Sequence, residues 1–262
     1  MPETDLDLLI DVACGAGEIA HRYFQRDPQV WDKGGGAGPV TEADLAVNEH
    51  MATQLGHARP DYGWLSEETE DDTSRLQTRR QFVVDPIDGT RAFIEGSKNW
   101  AHALAVIEDG SPTAAVVYLP EKDLMFAAAR GAGATLNGDA IAVSRANAVN
   151  GATVLANKSS FADERWSSGK PPKGLMRQFR SSLAYRLCLV ANGRFDAMMT
   201  LRPSWEWDIA AGALIVEEAG GIVADQVGAA LRFNNAHPQV NGVVAGGPVA
   251  SQIQLALVRN TP

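Results

Sequence analysis

Three acidic motifs suggest that this chain holds a metal ion. Carboxylates follow two apolar runs and open one helix: Glu67 in LSEE, Asp85 and Asp88 in VVDPIDGT, and Asp208 in WEWD. Carboxylates that lie together raise each other's pKa unless a cation lies between them. Ligands made only of oxygen, including the Ile87 carbonyl, suit a hard cation such as Mg²⁺. The sequence therefore predicts a magnesium site at one edge of the fold.

The DPIDGT turn also has the features of a phosphate-binding turn. Pro86 fixes the backbone between the two aspartates, and Gly89 leaves room for a ligand to approach the main chain. We expect the N–H groups of Gly89 and Thr90 to open a short helix, where backbone donors attract phosphate. A phosphate ester repels an attacking anion, and metal ions lower this barrier by neutralising charge. The turn and the acids together predict phosphate chemistry.

The composition is typical of a globular protein. The chain has 262 residues, of which 45% are hydrophobic and 21% are charged. Its formal charge of −9 disfavours a nucleic-acid polymer or an anionic membrane surface as a partner. No apolar run is long enough to span a membrane. The two cysteines, Cys14 and Cys188, lack the spacing of a disulfide framework or a zinc site, which predicts a cytoplasmic protein.

The elements that must position the acids are helices and strands in a mixed order. An amphipathic helix begins the chain, and a second helix spans residues 42–56 with Thr41 as its N-cap. Two apolar strands each end in carboxylates, and turn signals divide residues 102–138 into an antiparallel meander. This order predicts an α/β layered sandwich.

We predict that residues 1–262 form a single unit with two sub-domains. Residues 1–146 would be an α+β half that carries most of the metal ligands. Residues 147–262 would be an α/β half that carries Asp208 and the residues on the substrate side. The VSRANAVNG segment is the predicted crossover between the halves.

The motifs resemble those of the inositol monophosphatase superfamily, whose members are Mg²⁺-dependent, lithium-inhibited phosphomonoesterases. LSEE, VVDPIDGT and WDIAAGALIVEEAGG follow one another in the family's order and approximate spacing, and PVTEAD precedes them. The resemblance covers nearly the whole chain. It implies the αβαβα layers of an inositol monophosphatase-like, or sugar phosphatase, fold. It also implies a homodimer that hydrolyses a small-molecule phosphate ester.

The resemblance implies a role for each acidic residue. Glu67, Asp85 and the Ile87 carbonyl resemble the ligands of a first Mg²⁺. Asp85, Asp88 and Asp208 resemble the ligands of a second. A third, weaker Mg²⁺ would lie at Glu67, so the site would hold two to three metal ions.

The catalytic residues are also implied by the resemblance. Thr90 and Asp44 resemble the pair that orients and activates the attacking water, with assistance from Glu67. Lys33 resembles a family lysine that offsets the negative charge of the site. In-line attack by water then needs positioning and charge stabilisation, without a covalent protein intermediate.

The substrate is less well determined by the motifs. Inositol-hydrolysing members contact the cyclitol through a glutamate upstream of the WD motif, where this chain has Thr200 or Leu201. Arg186, Glu206 and the segment GTRAFI are instead similar to bacterial 3′(2′),5′-bisphosphate nucleotidases of the CysQ type. The residues predicted to bind substrate are Asp88, Gly89, Thr90, Arg186 and Glu206.

Several alternatives stay open at this point. Adenosine 3′,5′-bisphosphate is the favoured substrate and inositol 1-phosphate is the main alternative, with fructose 1,6-bisphosphate and histidinol phosphate as minor options. Arg186 could instead lie on the solvent face of its helix. A non-catalytic regulator or scaffold with the same fold is a remote alternative, because fold alone does not establish activity.

Overall fold

The computed structural model describes residues 3–35 and 38–258. The α-helices of these residues are α1 (Asp5–His21), α2 (Glu42–Ala58), α3 (Thr90–Ile94), α4 (Leu183–Ala191), α5 (Glu206–Glu218) and α6 (Pro248–Ala256). The strands are β1 (Val30–Asp32), β2 (Pro39–Thr41), β3 (Gly63–Ser66), β4 (Arg80–Asp88), β5 (Ala101–Glu108), β6 (Ser111–Leu119), β7 (Leu124–Ala129), β8 (Gly133–Leu136), β9 (Asp139–Ala140), β10 (Thr153–Ala156), β11 (Met176–Gln178), β12 (Ala197–Thr200), β13 (Ser204–Trp205), β14 (Ile222–Ala224), β15 (Gln239–Val240) and β16 (Val243–Gly246). Short 3-10 helices are formed by Thr73–Gln77, Pro120–Lys122, Lys158–Phe161 and Asp163–Arg165.

The larger sheet contains the strands that end in carboxylates. Its seven strands have the order β3-β4-β5-β6-β7-β8-β9. β3 and β4 are parallel, and each later pair is antiparallel, which confirms the meander predicted over residues 102–138. Side chains of a strand alternate between the two faces. Along β4, Val83 therefore packs in one hydrophobic core, and Phe82 and Val84 pack in the core on the opposite face.

The layers of the molecule follow from which faces are apolar. α1 and α2 cover one face of the larger sheet, and α4 and α5 cover the other. The smaller sheet has the order β11-β10-β12-β16-β14 and packs against α4 and α5 on one face and α6 on the other. The resulting order of layers is α, β, α, β, α. The predicted α/β layered sandwich is therefore confirmed.

The central helix layer is packed closely because of its sequence. α5 is apolar on nearly every side, as expected for a helix buried between two sheets. A Cβ atom at Gly212 of α5 would lie 2.6 Å from the Cβ of Leu187 on α4, so only glycine allows this approach. The contact fixes α5, which carries Asp208 in its first turn, against α4.

The second helix begins as the sequence predicts. Thr41 is the N-cap of α2, and its hydroxyl accepts hydrogen bonds from the N–H groups of Ala43 and Asp44. The Asp44 carboxylate in turn accepts the Thr41 N–H, which completes a capping box. The helix extends to Ala58, two residues beyond the predicted end. Within the described part of the chain, no helix is both long enough and apolar enough to cross a membrane.

Candidate active site

An irregularity in β4 directs two of the acids to the same side. Residues three apart on a regular strand face opposite sides of a sheet. The pairing of β4 with β5 shifts between Asp85, which is opposite Ala103, and Asp88, which is opposite Ala101. The bulged strand has one extra residue there, and such bulges redirect side chains next to active sites. The carboxylates of Asp85 and Asp88 consequently lie together.

Asp208 completes a group of three carboxylates. It lies in the first turn of α5, where the N-terminal end of a helix favours negative charge. Asp85, Asp88 and Asp208 each place one carboxylate oxygen within 4.8 Å of the others. We call these three residues the aspartate cluster. Glu67 is next to it, because parallel pairing of β3 with β4 places the Glu67 N–H 3.3 Å from the Val84 carbonyl oxygen.

The aspartate cluster is electrostatically suited to a cation. Asp85 is 1% exposed, and neither of its carboxylate oxygens has a hydrogen-bond partner among residues 3–35 and 38–258. Burial, followed by the charges of Glu67 and Asp88, raises the pKa of Asp85 well above its usual value. Burial raises the pKa of Asp88 and Asp208 as well. A buried carboxylate without partners costs folding free energy unless a cation binds it, so these oxygen donors fit a hard metal ion.

Asp88 is also held by the second half of the chain. Its Oδ2 atom accepts hydrogen bonds from the Ser182 hydroxyl and the Ala184 N–H, each 2.7 Å long. Ser182 is the N-cap of α4 and has a left-handed φ of 63°. Ser182 is not part of the acidic motifs, although a serine directly before an apolar helical segment is a recognisable N-cap. The start of α4 thereby orients one of the predicted metal ligands.

Thr90 and Asp44 are adjacent, as predicted for the pair that orients water. The Thr90 Oγ1 atom lies 3.2 Å from Asp44 Oδ1 and 3.2 Å from the Ile87 carbonyl oxygen. The other Asp44 carboxylate oxygen accepts hydrogen bonds from the hydroxyl and the N–H of Thr41. Burial raises the pKa of Asp44 to about 6, and the hydrogen bonds from Thr41 oppose this rise. The capping box of α2 therefore fixes the carboxylate that receives the Thr90 hydroxyl.

Lys33 lies where a charge-balancing group is needed. Its Nζ atom is 2.9 Å from Glu67 Oε1 and 2.6 Å from Glu68 Oε1. Burial raises the pKa of Glu68 to about 7, although the hydrogen bond from Lys33 favours its charged form. Glu68 is thus part of the acidic environment of the site and is paired with Lys33.

Gly89 is required for a reason that the sequence did not indicate. Its φ of 106° is a left-handed conformation that favours glycine. A Cβ atom at this position would lie 3.2 Å from the Asn99 carbonyl oxygen and 3.4 Å from Trp100 Cα. Glycine is therefore needed for the backbone turn and for the close approach of the neighbouring chain.

Arg186 is buried beside the acids, and the alternative that it faces solvent is wrong. Its side chain donates from Nε to the Arg180 carbonyl at 2.5 Å, and its guanidinium carbon lies 4.5 Å from the centre of the Phe179 ring. Among the described residues, its Nη1 atom has no hydrogen-bond partner. Burial lowers the pKa of Arg186 to about 10, while Asp88 and Asp208 favour its charged form.

Glu206 lies outside the aspartate cluster and its carboxylate is bound within the protein, while its role as a substrate ligand stays a prediction. The side chain is fully buried. Its Oε2 atom accepts the Asn234 N–H at 2.7 Å, and its Oε1 atom accepts the N–H and side-chain amide of Asn235 at 2.9 and 2.7 Å. Both carboxylate oxygens therefore accept hydrogen bonds from the loop that contains Asn234 and Asn235. Glu206 therefore fixes the start of α5, two residues before Asp208.

The buried acids predict how the metal-free protein responds to pH. Their pKa values are raised, so the folded state binds more protons than the unfolded state above pH 4 and loses stability as the pH rises. His102 acts in the opposite direction below about pH 6.5, because burial lowers its pKa to about 4. From about pH 6.5 to pH 8, where His102 no longer contributes, we expect the free energy of unfolding in EDTA to fall. Urea denaturation at several pH values measures this slope. Saturating Mg²⁺ should reduce the slope by removing the contribution of the aspartate cluster. A free energy of unfolding that rises with pH in EDTA would contradict the prediction.

Comparisons with known proteins agree with this site. The family model described as "Inositol monophosphatase family" matches residues 1–260. The chain is 33% identical to inositol monophosphatase 2 of Solanum lycopersicum over 86% of this chain and 89% of that protein. It is 33% identical to the histidinol-phosphatase of Mycobacterium tuberculosis, over 93% of this chain and 96% of that protein.

Solved structures give the same result. The extragenic suppressor protein SuhB of Bartonella henselae superimposes with a TM-score of 0.81 at 28% identity, covering 97% of this chain and 98% of that one. An IMPase of Thermotoga maritima gives a TM-score of 0.80 at 27% identity, with 95% of each chain covered. With the fold, the acidic site and these relatives in agreement, the chain belongs to the inositol monophosphatase family and is a phosphoric monoester hydrolase.

Proposed function

We propose that this protein hydrolyses a small phosphate monoester with Mg²⁺ bound at the aspartate cluster. The observation that carries the proposal is the Asp85 carboxylate, which is buried without a hydrogen-bond partner among the described residues. Asp85, Asp88 and Asp208 would hold one ion, and Glu67, Asp85 and the Ile87 carbonyl a second. Mg²⁺ bound there would supply positive charge against the phosphate and would lower the pKa of a bound water molecule.

The remaining residues position the reactants. Asp44 accepts a hydrogen bond from the Thr90 hydroxyl, so the lone pairs of Thr90 Oγ1 are available to accept a hydrogen bond from the attacking water and orient it. The capping box keeps Asp44 from rotating. The N–H groups of Gly89 and Thr90 would bind the phosphate, and Lys33 would lower the negative charge around Glu67 and Glu68.

We propose adenosine 3′,5′-bisphosphate as the substrate. Arg186 supports this choice, because its buried guanidinium has an Nη1 atom without a described partner and lies within electrostatic reach of the aspartate cluster. A leaving group with a second phosphate would pair with such a cation. Thr200 and Leu201 supply no carboxylate for a neutral cyclitol.

Three other functions are supported less well. Inositol 1-phosphate is favoured by the printed names of several relatives, including the Solanum lycopersicum protein. Histidinol phosphate has a cationic leaving group, which Arg186 would repel. A regulatory role is suggested by a relative named "Nus factor SuhB" from Salmonella typhimurium, 33% identical over 97% of this chain and 96% of that protein. We favour an enzyme, because the catalytic pair and the aspartate cluster are both present.

A phosphate-release assay on the Arg186→Ala variant tests the substrate. A charge-assisted hydrogen bond contributes about 1.5–3 kcal/mol, so KM for adenosine 3′,5′-bisphosphate should rise by roughly ten- to a hundredfold. The ratio of this KM to that for inositol 1-phosphate should rise by the same factor, because inositol 1-phosphate has no second phosphate.

Arg194→Ala is the matched control, since Arg194 is exposed and lies beyond the end of α4. This variant should keep the KM ratio of the wild type. An unchanged ratio in Arg186→Ala, or a wild-type preference for inositol 1-phosphate, would refute the nucleotide substrate while leaving the phosphatase assignment intact.

A further inference from the structure

A histidine side chain on β5 contacts the bulge in β4. The register of the two strands places two residues of β4, Pro86 and Ile87, opposite the single residue His102. The Nδ1 atom of the His102 ring forms a hydrogen bond with the Pro86 carbonyl oxygen. Pro86 has no N–H group of its own to contribute to strand pairing. The His102 side chain therefore supplies a hydrogen bond at the point where the regular pairing is interrupted.

The surroundings of His102 fix the orientation of its ring. The residue is fully buried. The centre of its ring lies 5.5 Å from that of Trp100, in an edge-on contact with 73° between the two planes, and 6.4 Å from that of Tyr118. Edge-to-face contacts between aromatic rings have a preferred geometry. A fully buried ring with two aromatic neighbours has little freedom to turn away from the Pro86 carbonyl.

The hydrogen bond also determines which ring nitrogen of His102 carries a proton. Burial lowers the pKa of His102 to about 4, so the ring is neutral near neutral pH and has a single N–H group. A carbonyl oxygen can only accept a hydrogen bond, so this N–H group must be at Nδ1. The other nitrogen, Nε2, is buried and has no hydrogen-bond partner among the described residues. A proton on Nε2 would be a buried donor without an acceptor, which also favours the Nδ1–H form.

The Pro86 carbonyl belongs to the peptide unit that separates the predicted metal ligands of β4. A peptide unit is planar, so a fixed Pro86 oxygen also fixes the plane that contains the Ile87 nitrogen. Asp85 comes directly before this unit, and the Ile87 carbonyl and Asp88 follow it. The Asp85 carboxylate has no hydrogen-bond partner of its own among the described residues, so its position depends on the backbone that carries it.

We propose that His102 is a positioning residue that orients the Mg²⁺ ligands of β4 through the Pro86 carbonyl. The inference rests on the proposed function, because it requires that Mg²⁺ binds at the aspartate cluster. Without the Nδ1–H donor, the peptide unit between Pro86 and Ile87 can rotate more freely. Mg²⁺ requires a nearly ideal octahedral arrangement of ligands, whereas Ca²⁺ accepts a more flexible one. Loss of the donor should therefore weaken the binding of Mg²⁺ more than the binding of Ca²⁺.

Two substitutions separate the hydrogen bond from the packing of the ring. His102→Asn keeps an N–H donor attached to Cγ, as Nδ1 is, but loses ring volume. His102→Phe keeps an aromatic ring and has no donor. The rise of Tm with metal concentration, measured without substrate, gives the apparent Kd. His102→Asn should bind Mg²⁺ within a few-fold of the wild type. His102→Phe should bind Mg²⁺ about fivefold more weakly or worse, as for the loss of one hydrogen bond, and its affinity for Ca²⁺ should fall less.

His57→Phe is the control, because His57 is exposed in the last turn of α2. This variant should keep the Kd of the wild type for Mg²⁺. If His102→Phe binds Mg²⁺ as tightly as the wild type, or if His102→Asn weakens binding as much as His102→Phe does, the positioning role fails and the proposed function stands. If the Tm of the wild type does not respond to Mg²⁺, both fail.

NMR spectroscopy of the wild type tests the same contact without a substitution. The ¹⁵N chemical shifts of a neutral imidazole distinguish a ring protonated at Nδ1 from one protonated at Nε2, and we expect the Nδ1–H form for His102. A ring protonated only at Nε2 could not donate to the Pro86 carbonyl. That result would overturn the proposal even if the His102 variants failed to fold.

Discussion

Replacing Asp85 with asparagine should lower kcat at least about a hundredfold, the scale of losing a main electrostatic stabiliser of a transition state. Asp85 is the one acid that we assign to both metal ions, and its two oxygens have no other partner among the described residues. An amide at this position has the same shape but no charge, so it should not hold Mg²⁺ between Asp88 and Asp208. Steady-state phosphate release at saturating substrate measures the change.

The same substitution should have the opposite effect on the metal-free fold. Burial and the neighbouring acids raise the pKa of Asp85, so the charged carboxylate destabilises the folded state. We therefore expect Asp85→Asn to have a higher Tm than the wild type in EDTA. Glu68→Gln is the control, since Glu68 pairs with Lys33 outside the aspartate cluster, and it should keep kcat within a few-fold of wild type. Equal losses of kcat in the two variants would contradict our assignment of Asp85.

Chelation of divalent metal should abolish activity, and millimolar Mg²⁺ should restore it. Without a cation the buried carboxylates repel a phosphate ester as well as each other. The family resemblance also predicts inhibition by submillimolar to millimolar Li⁺. Full turnover in EDTA would refute the metal-dependent mechanism.

Binding of Mg²⁺ can also be measured without turnover. A ligand that binds only the folded state raises stability, by about 2.7 kcal/mol at a hundred times its Kd. The Tm should therefore rise with Mg²⁺ concentration in the wild type, and Asp85→Asn should lose most of this rise. Ca²⁺ is a useful comparison, because it binds oxygen ligands with a larger and more flexible geometry. A Tm that does not depend on Mg²⁺ in the wild type would show that the aspartate cluster does not bind it.

The sequence was sufficient for features that depend on neighbouring residues. Thr41 as an N-cap, the antiparallel meander and the acids at strand ends are local patterns, and the structure confirms each of them. The layered fold is confirmed because alternating apolar patterns require two faces for the larger sheet. The metal ligands, the two sub-domains and the homodimer remain predictions.

Contacts between distant segments could not be predicted in this way. The sequence contains Asp85 and Asp88, but the bulge that directs both to one side depends on their pairing with β5. Glu206 resembled a substrate ligand because it is close to Asp208 in sequence. Its carboxylate is bound by a loop 28 and 29 residues away.

Arg186 shows the same difference. The helix pattern left the direction of Arg186 undecided, because its burial depends on Phe179, Arg180 and the fold of the surrounding chain. The sequence by itself therefore determined which chemical groups are present and the type of reaction. The tertiary structure decided which of these groups share a site, because side chains from distant segments meet only when the layers pack.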